Sequence, residues 1–251
     1  MTTTTDTQDR AIWATWYDLD GHDRDRYLDW AHHEHLPRLA RQPGHTWVAH
    51  YRYEGGGVQM NDIKKNVVSH TQDDEVGQGS QYVVLIGAPS VHGFFAPFLD
   101  DAERTDVERE MLALRRGART VVFSEEARED GPSLGSAAGQ AVPAPAIQLG
   151  TLRSRSVEAE FDLIKWYAQY RMPSMAKMPG CVRTRKLTAV AGWARHGILY
   201  EFESLPMRLQ HFEQGHESLT LDPNHWTHRI VRASVHAPGS PFIGARIWSS
   251  V

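Results

Sequence analysis

The chain of 251 residues has room for one large domain or for two of roughly 100–150 residues, each able to bury a core. With 41% hydrophobic and 23% charged residues, its composition is that of a globular protein. A net charge of −4 and a pI near 6.4 give no electrostatic case for nucleic acid or an anionic membrane, and a single cysteine, Cys181, excludes an internal disulfide framework. The polar start, residues 1–10, is expected to fray. No stretch approaches the roughly 20 apolar residues of a membrane span, so a cytoplasmic location is expected.

In chain order, AIWATWYD (11–18) predicts a first strand from its aromatic and β-branched content. A polar stretch with Gly21 leads to a helix expected over 23–41, stopped by Pro43-Gly44. TWVAHYRY (46–53) and QYVVLIGAP (81–89) read as strands two and three. A short helix is expected around 91–99, a longer one over 104–116, and RTVVFSEE (119–126) as strand four. This β-α-β-β-α-β order is ferredoxin-like.

Residues 127–145, rich in Ala, Gly, Pro and Ser, read as a linker. The order then restarts with AIQLGTLR (146–153), a helix over 158–177, strands 182–189 and 196–204, helices over 205–217 and 223–232, and FIGARIW (242–248). The predicted fold class is α+β: two tandem ferredoxin-like units, residues 11–126 and 146–251. The units differ in one connection. Strands two and three are joined by residues 54–80 in the first unit but only by 190–195 in the second. Glycines at both ends of 54–80 suit a hinged flap over a pocket, and equally a surface insertion.

A motif supports the repetition. WAHHEHLPRLARQPG (30–44) and WYAQYRMPSMAKMPG (166–180) share Trp-x6-Pro-x5-Pro-Gly at a constant offset of 136, with Ala40 also matching Ala176. The polar positions do not match: His32, His33, Glu34 and His35 stand where the second copy has Ala168, Gln169, Tyr170 and Arg171.

Candidate chemistry concentrates there. At helical spacing Leu28, His32, His35 and Leu39 share one face. A histidine exchanges protons near neutral pH, so His35 and His32 are the candidate acid–base pair, although an imidazole on such a face can equally be a packed structural residue. His33 is expected to face water. In strand two, alternation puts His50 and Arg52 on one face and Tyr51 and Tyr53 on the other, and the pattern does not say which face lines a pocket. Tyr51 is carried as a third catalytic candidate. Trp13, Tyr17, Trp30, His50 and Tyr53 are carried as substrate-binding candidates.

Metal signals are weak. His32-x2-His35 and His225-x2-His228 lack a completing ligand, and DLDGHDRD (18–25) lacks the calcium-loop pattern, so no metal is assigned. No phosphate loop, GxSxG elbow or dinucleotide fingerprint is present.

His35-Leu36-Pro37 followed by Pro43-Gly44 resembles the dimeric α/β-barrel superfamily, especially its EthD-like members, whose first helix carries His-x-Pro and then Pro-Gly. In the second unit Arg171-Met172-Pro173 keeps the proline and loses the histidine. The resemblance implies that the two units build, within one chain, the barrel that two chains usually build, with pockets between helices and sheet for hydrophobic or aromatic molecules. It implies a role for His35.

The expected activity is a cofactor-independent lyase or isomerase of an aromatic or polyketide-like compound. The alternatives are a cofactor-free monooxygenase of phenols, a haem enzyme with His211, His216, His225 or His228 as ligand, and a non-catalytic binding protein. The expected partner is the small molecule, with a homodimer left open.

Overall fold

The computed structural model describes residues 9–95, 104–137 and 142–250. Within them, nine strands form one sheet: β1 (Ala11–Asp18), β2 (Trp47–Tyr53), β3 (Tyr82–Ala88), β4 (Arg116–Asp130), β5 (Ala146–Ser154), β6 (Cys181–Ala191), β7 (His196–Phe202), β8 (Ser234–His236) and β9 (Phe242–Ser249). Their order is β7-β6-β4-β1-β3-β2-β9-β5-β8, and a further pairing of β7 with β5 closes eight of them into a barrel, leaving β8 beside β5. All of these pairings are antiparallel.

The first unit runs β4-β1-β3-β2 and the second β9-β5-β7-β6, the same order twice. Two seams join them: β4 pairs with β6, as at Glu129 and Thr184, and β2 pairs with β9, as at Tyr51 and Arg246. Each unit thus covers the other's open edges, whose backbone N–H and C=O groups would otherwise lack partners. The tandem ferredoxin-like architecture expected from sequence is the one observed.

Strand alternation separates three cores. Trp16, Trp47, Tyr51, Leu85, Phe123, Leu149 and Leu199 point into the barrel. Tyr17, Val48, Val84 and Ile86 face outward beneath the first unit's helices, and Leu152, Ile198 and Tyr200 do so in the second.

Helix α1 runs as Arg24–Trp30, a π-helical turn Ala31–His35, and Leu36–Ala40. Within the turn the Leu36 N–H reaches back five residues to the Ala31 carbonyl. Pro37 explains the widening: it has no N–H for the carbonyl four residues back, and its ring crowds that carbonyl. The second unit repeats the device 136 residues on, in α4, where Val157–Trp166 passes through a π turn Tyr167–Arg171 into Met172–Met175 ahead of Pro179-Gly180.

Several expectations change. Strand β4 continues beyond the predicted end at 126, because Ala127–Asp130 pair with β6. Within the presumed linker 127–145, residues 127–130 are therefore sheet and Leu134–Ala137 a 3-10 turn, and 138–141 lies outside the described residues. The expected helix around 91–99 is a 3-10 turn, Val91–Phe95, beyond which the description stops. Helix α3 (Asp106–Ala113) is shorter than expected. In the second unit, α5 comprises Leu205–Met207 and a π turn Arg208–Glu213, followed by a 3-10 turn Glu217–Leu221 and by α6 (Trp226–Arg232). Strand β8 was not expected at all.

Asp9, assigned to a fraying start, is buried and accepts from Arg185 Nη1 at 2.7 Å and from Trp47 Nε1 at 2.6 Å. The rest of that start, 1–8, lies outside the described residues. The long connection 54–80 is neither bare loop nor solvated insertion. It contains helix α2 (Val58–Asn66), which buries Met60 and Ile63. The N–H groups of Gly57 and Met60 donate to the buried Glu213 carboxylate of the second unit, each at 3.1 Å. No helix among the described residues is long and apolar enough to cross a membrane.

Candidate active site

The π turn of α1 separates the two histidines that share one face on an ideal helix. His32 turns toward the sheet and His35 toward α3. His35 is 7% exposed, and its ring stacks on Trp30 with centroids 4.8 Å apart. Its Nδ1 lies 3.1 Å from Glu108 Oε1. Glu108 stands in the first turn of α3, whose N-terminus favours a carboxylate, and Thr105 accepts the Glu108 N–H as helix cap. Arg38 also donates to Glu108 Oε1.

Two effects oppose each other at His35. Burial lowers its pKa, while the hydrogen bond to Glu108 raises it, and burial wins. The same bond holds the Glu108 carboxyl below its usual range. At neutral pH the pair is therefore a neutral imidazole donating Nδ1–H to a carboxylate, which leaves Nε2 as a lone-pair acceptor. Among the described residues no protein group bonds His35 Nε2, and Glu108 Oε2 is buried without a partner. A cleft of about 200 Å³ lined by Trp30, Glu34, His35, Arg38, Thr105 and Glu108 adjoins them.

Behind this dyad lies a second polar chain. His32 Nε2 is 2.9 Å from His50 Nδ1, and His50 Nε2 is 2.8 Å from the Tyr17 hydroxyl. His50 is completely buried, which pushes its pKa well below the usual value, and Tyr17 is pushed well above its own. The Arg115 guanidinium lies 4.6 Å from the centre of the Tyr17 ring and donates to Tyr27.

The structure thus joins His32, His50 and Tyr17 in one chain and Trp30 with His35 in the cleft. It does not bring the remaining candidates there. Tyr51 points into the barrel, where its hydroxyl meets the Pro143 and Ala144 carbonyls at 3.1 and 2.9 Å, and burial raises its pKa far above the usual value. It shares neither face nor partner with His35. Tyr53 packs on Phe242 and accepts from Lys64. Trp13 packs on Phe94 and Phe95 and donates to Thr15. His33 is exposed, as expected. Cys181 is buried and its thiol is pushed up to about 12, which suits a packing residue and not a nucleophile.

Sequence reasoning missed Glu108 and Arg38. Thr105-x-x-Glu108 has the capping-box pattern, in which the glutamate would turn back to the cap; here it turns to His35 instead. The second unit holds a counterpart. Arg171 lies over Trp166 at 4.5 Å, as His35 lies on Trp30, and its Nη1 is 2.8 Å from Glu217 Oε1.

Asp20, His22 and Asp23 bring potential ligand atoms within 4.8 Å of one another at the start of α1, but exposed acidic groups commonly do so without an ion. Haem, the alternative cofactor, finds none of its four candidate ligands at the second unit's cavity. The second unit's cavity, about 60 Å³, is far smaller than a porphyrin, and none of His211, His216, His225 and His228 lines it.

No family model and no curated protein matches the sequence. Solved structures do match the fold. A protein from Fusobacterium nucleatum, described as a candidate monooxygenase, superposes with a TM-score of 0.55 and 6% identity over 96% of this chain and 93% of its own. An anthrone oxidase-like protein superposes with a TM-score of 0.55 and 11% identity over 97% and 94%. The shared fold is an α/β barrel of two ferredoxin-like units, closed within one chain. A chlorite dismutase from Candidatus Nitrospira defluvii follows at a TM-score of 0.49 and 13% identity over 95% and 92%. At their identities the first two likenesses speak for the barrel alone.

Proposed function

We propose that this α/β barrel is a cofactor-independent enzyme in which His35 removes a proton from an aromatic or polyketide-like small molecule, beside a carbonyl or from a phenol. The observation that carries this reading is the 3.1 Å bond from His35 Nδ1 to Glu108. It fixes the tautomer, orients the ring and leaves Nε2 basic at the edge of the cleft. When the imidazole takes up a proton, the Glu108 carboxylate stabilises the cation, and Trp30 keeps the ring in plane. The unpaired Glu108 Oε2 is an acceptor suited to a substrate hydroxyl.

The enolate or phenolate so formed has three exits. Reprotonation at another carbon is isomerisation, and expulsion of a leaving group is a lyase reaction. Capture of dioxygen is cofactor-free oxygenation. We favour the first two for the reaction class. The third is a second reading, supported by the monooxygenase and anthrone oxidase names of the two structural neighbours. We also infer, from the offset of 136 shared by the motif and by the π turns, that the two units descend from one EthD-like unit.

The test uses anthrone, whose methylene carbon is acidified by its carbonyl, in heavy water. Deuterium entry at that carbon is followed by NMR and oxygen uptake by electrode. His35→Gln is expected to slow exchange by about 10²–10⁴-fold with the fold intact. Equal exchange by wild type and His35→Gln overturns the assignment, and oxygen uptake dependent on His35 selects the second reading.

A further inference from the structure

The second unit holds a partly open cavity, separate from the His35 cleft and built at the corresponding place around Arg171. It lies between α4, α6 and the outer face of β5 and β7, and α2 of the first unit covers it. Its walls are mostly apolar, with Met60, Ile63, Leu152, Leu163, Ile198 and Ile230 among them. Polar groups interrupt this lining, and several have no partner. Trp166 Nε1, Arg171 Nε and both ring nitrogens of His236 are buried without a hydrogen bond. Their residues are 2%, 2% and 7% exposed.

Buried polar atoms are nearly always paired, so a group of orphans around one cavity asks for a missing acceptor. An indole N–H and a guanidinium N–H can only donate, and a neutral imidazole keeps one donor. A purely apolar occupant would leave all three unsatisfied, and a cation would add donors to donors.

The charges point the same way. The Arg171 cation is balanced by Glu217. Among the described residues Lys64 pairs with no carboxylate and meets the Tyr53 hydroxyl and the Gly239 carbonyl, and the exposed Arg155 donates to the Arg232 carbonyl. Burial first, then neighbouring His70, and after these Lys64 and Arg155 push His236 down to about 3. In the lining itself Arg171 and Glu217 cancel, and the added positive charge comes from outside it, from half-buried Lys64 and, at the surface, Arg155.

We propose that this cavity binds a small apolar acid, an aryl or alkyl carboxylate whose oxygens accept from Arg171, Trp166 and His236. The apolar body lies against Ile63, Leu152 and Ile198. At about 60 Å³ the cavity takes the head group and part of the body. The remainder displaces Met60, whose unbranched side chain adapts readily. The site is independent of the base at His35, which belongs to the other unit.

The test is calorimetric titration of the full chain with phenylacetate and with its neutral isostere phenylacetamide. Phenylacetate is expected to bind once per chain, and phenylacetamide about tenfold more weakly or not at all. Trp166→Phe removes one donor together with part of the buried ring under Arg171 and is expected to weaken phenylacetate about three- to tenfold, with His236→Phe as the second, independent variant. His236→Phe weakens it likewise, while His35→Gln leaves it unchanged. In wild type, phenylacetate also shifts the His236 ring resonances. Absence of saturable binding overturns the proposal, as does equal affinity for acid and amide. Binding lost in His35→Gln but kept in Trp166→Phe moves the acid to the first cleft and overturns it as well.

Discussion

His32 Nε2 and His50 Nδ1 face each other across 2.9 Å, and one proton serves both. Adding a second sets two donors against each other inside the protein. Burial lowers the pKa of both rings, and of His35, His216 and His236, with the last two brought down to about 3.

That relationship fixes the sign of an acid effect. A histidine whose folded pKa lies below its unfolded value of 6.5 contributes fully above pH 6.5, and its contribution is lost as pH falls from there toward the folded value. The protein is therefore expected to lose stability progressively from about pH 6.5 toward pH 3, at up to about 1.4 kcal/mol per pH unit for each buried ring. Denaturant midpoints across this range measure it. A flat profile would show that these rings titrate normally.

The dyad predicts a shifted rate profile. The base must be neutral, so the acid limb of kcat/KM should fall below pH 6.5. Glu108→Gln removes the carboxylate that raises the His35 pKa, so the limb should move to still lower pH while the plateau drops about 10- to 100-fold. A limb that stays in place, or moves up, would separate Glu108 from the chemistry.

Tyr17→Phe tests the buried chain. It deprives His50 Nε2 of its partner in a fully buried site, with an expected stability loss of about 1–3 kcal/mol by urea unfolding. Neutral behaviour would mean that a water replaces the hydroxyl.

Much of this architecture was legible from the chain. Strands such as AIWATWYD and QYVVLIGAP carry their own pattern, and Trp-x6-Pro-x5-Pro-Gly located both first helices at the right offset. The site was legible only in part. His35 could be chosen, but its partner could not, because Glu108 is 73 residues away and has the local look of a helix cap. Tyr51 and His50 were separable by alternation, yet nothing local told which face was the barrel interior. The π turns escaped because their cause, a proline inside a helical pattern, normally reads as a stop. Strand β8 has three residues, too few for any periodicity.

Glu213 gives a prediction on the cover of the second cavity. It accepts from Gly57 N and Met60 N and pairs with Arg208, and Glu213, Met60 and Arg208 are buried. Glu213→Gln replaces one acceptor oxygen with a donor, so the start of α2 should lose a bond and open more often. Amide exchange in Val58–Asn66 is expected to quicken by about tenfold or more relative to β3. Equal protection would mean that Met60 and Ile63 hold the helix without Glu213.

The two seams that close the barrel join halves of the same polypeptide. Where a barrel forms from two identical chains, any residue introduced into one helix necessarily appears in the other. Here the position that holds His35 in one half holds Arg171 in the other, each beside its own tryptophan and glutamate. Continuity of the chain frees the protein from that symmetry: one face can keep a titratable base while its counterpart carries a permanent charge. A protein that assembled the same barrel from a single repeated unit would have to choose between them.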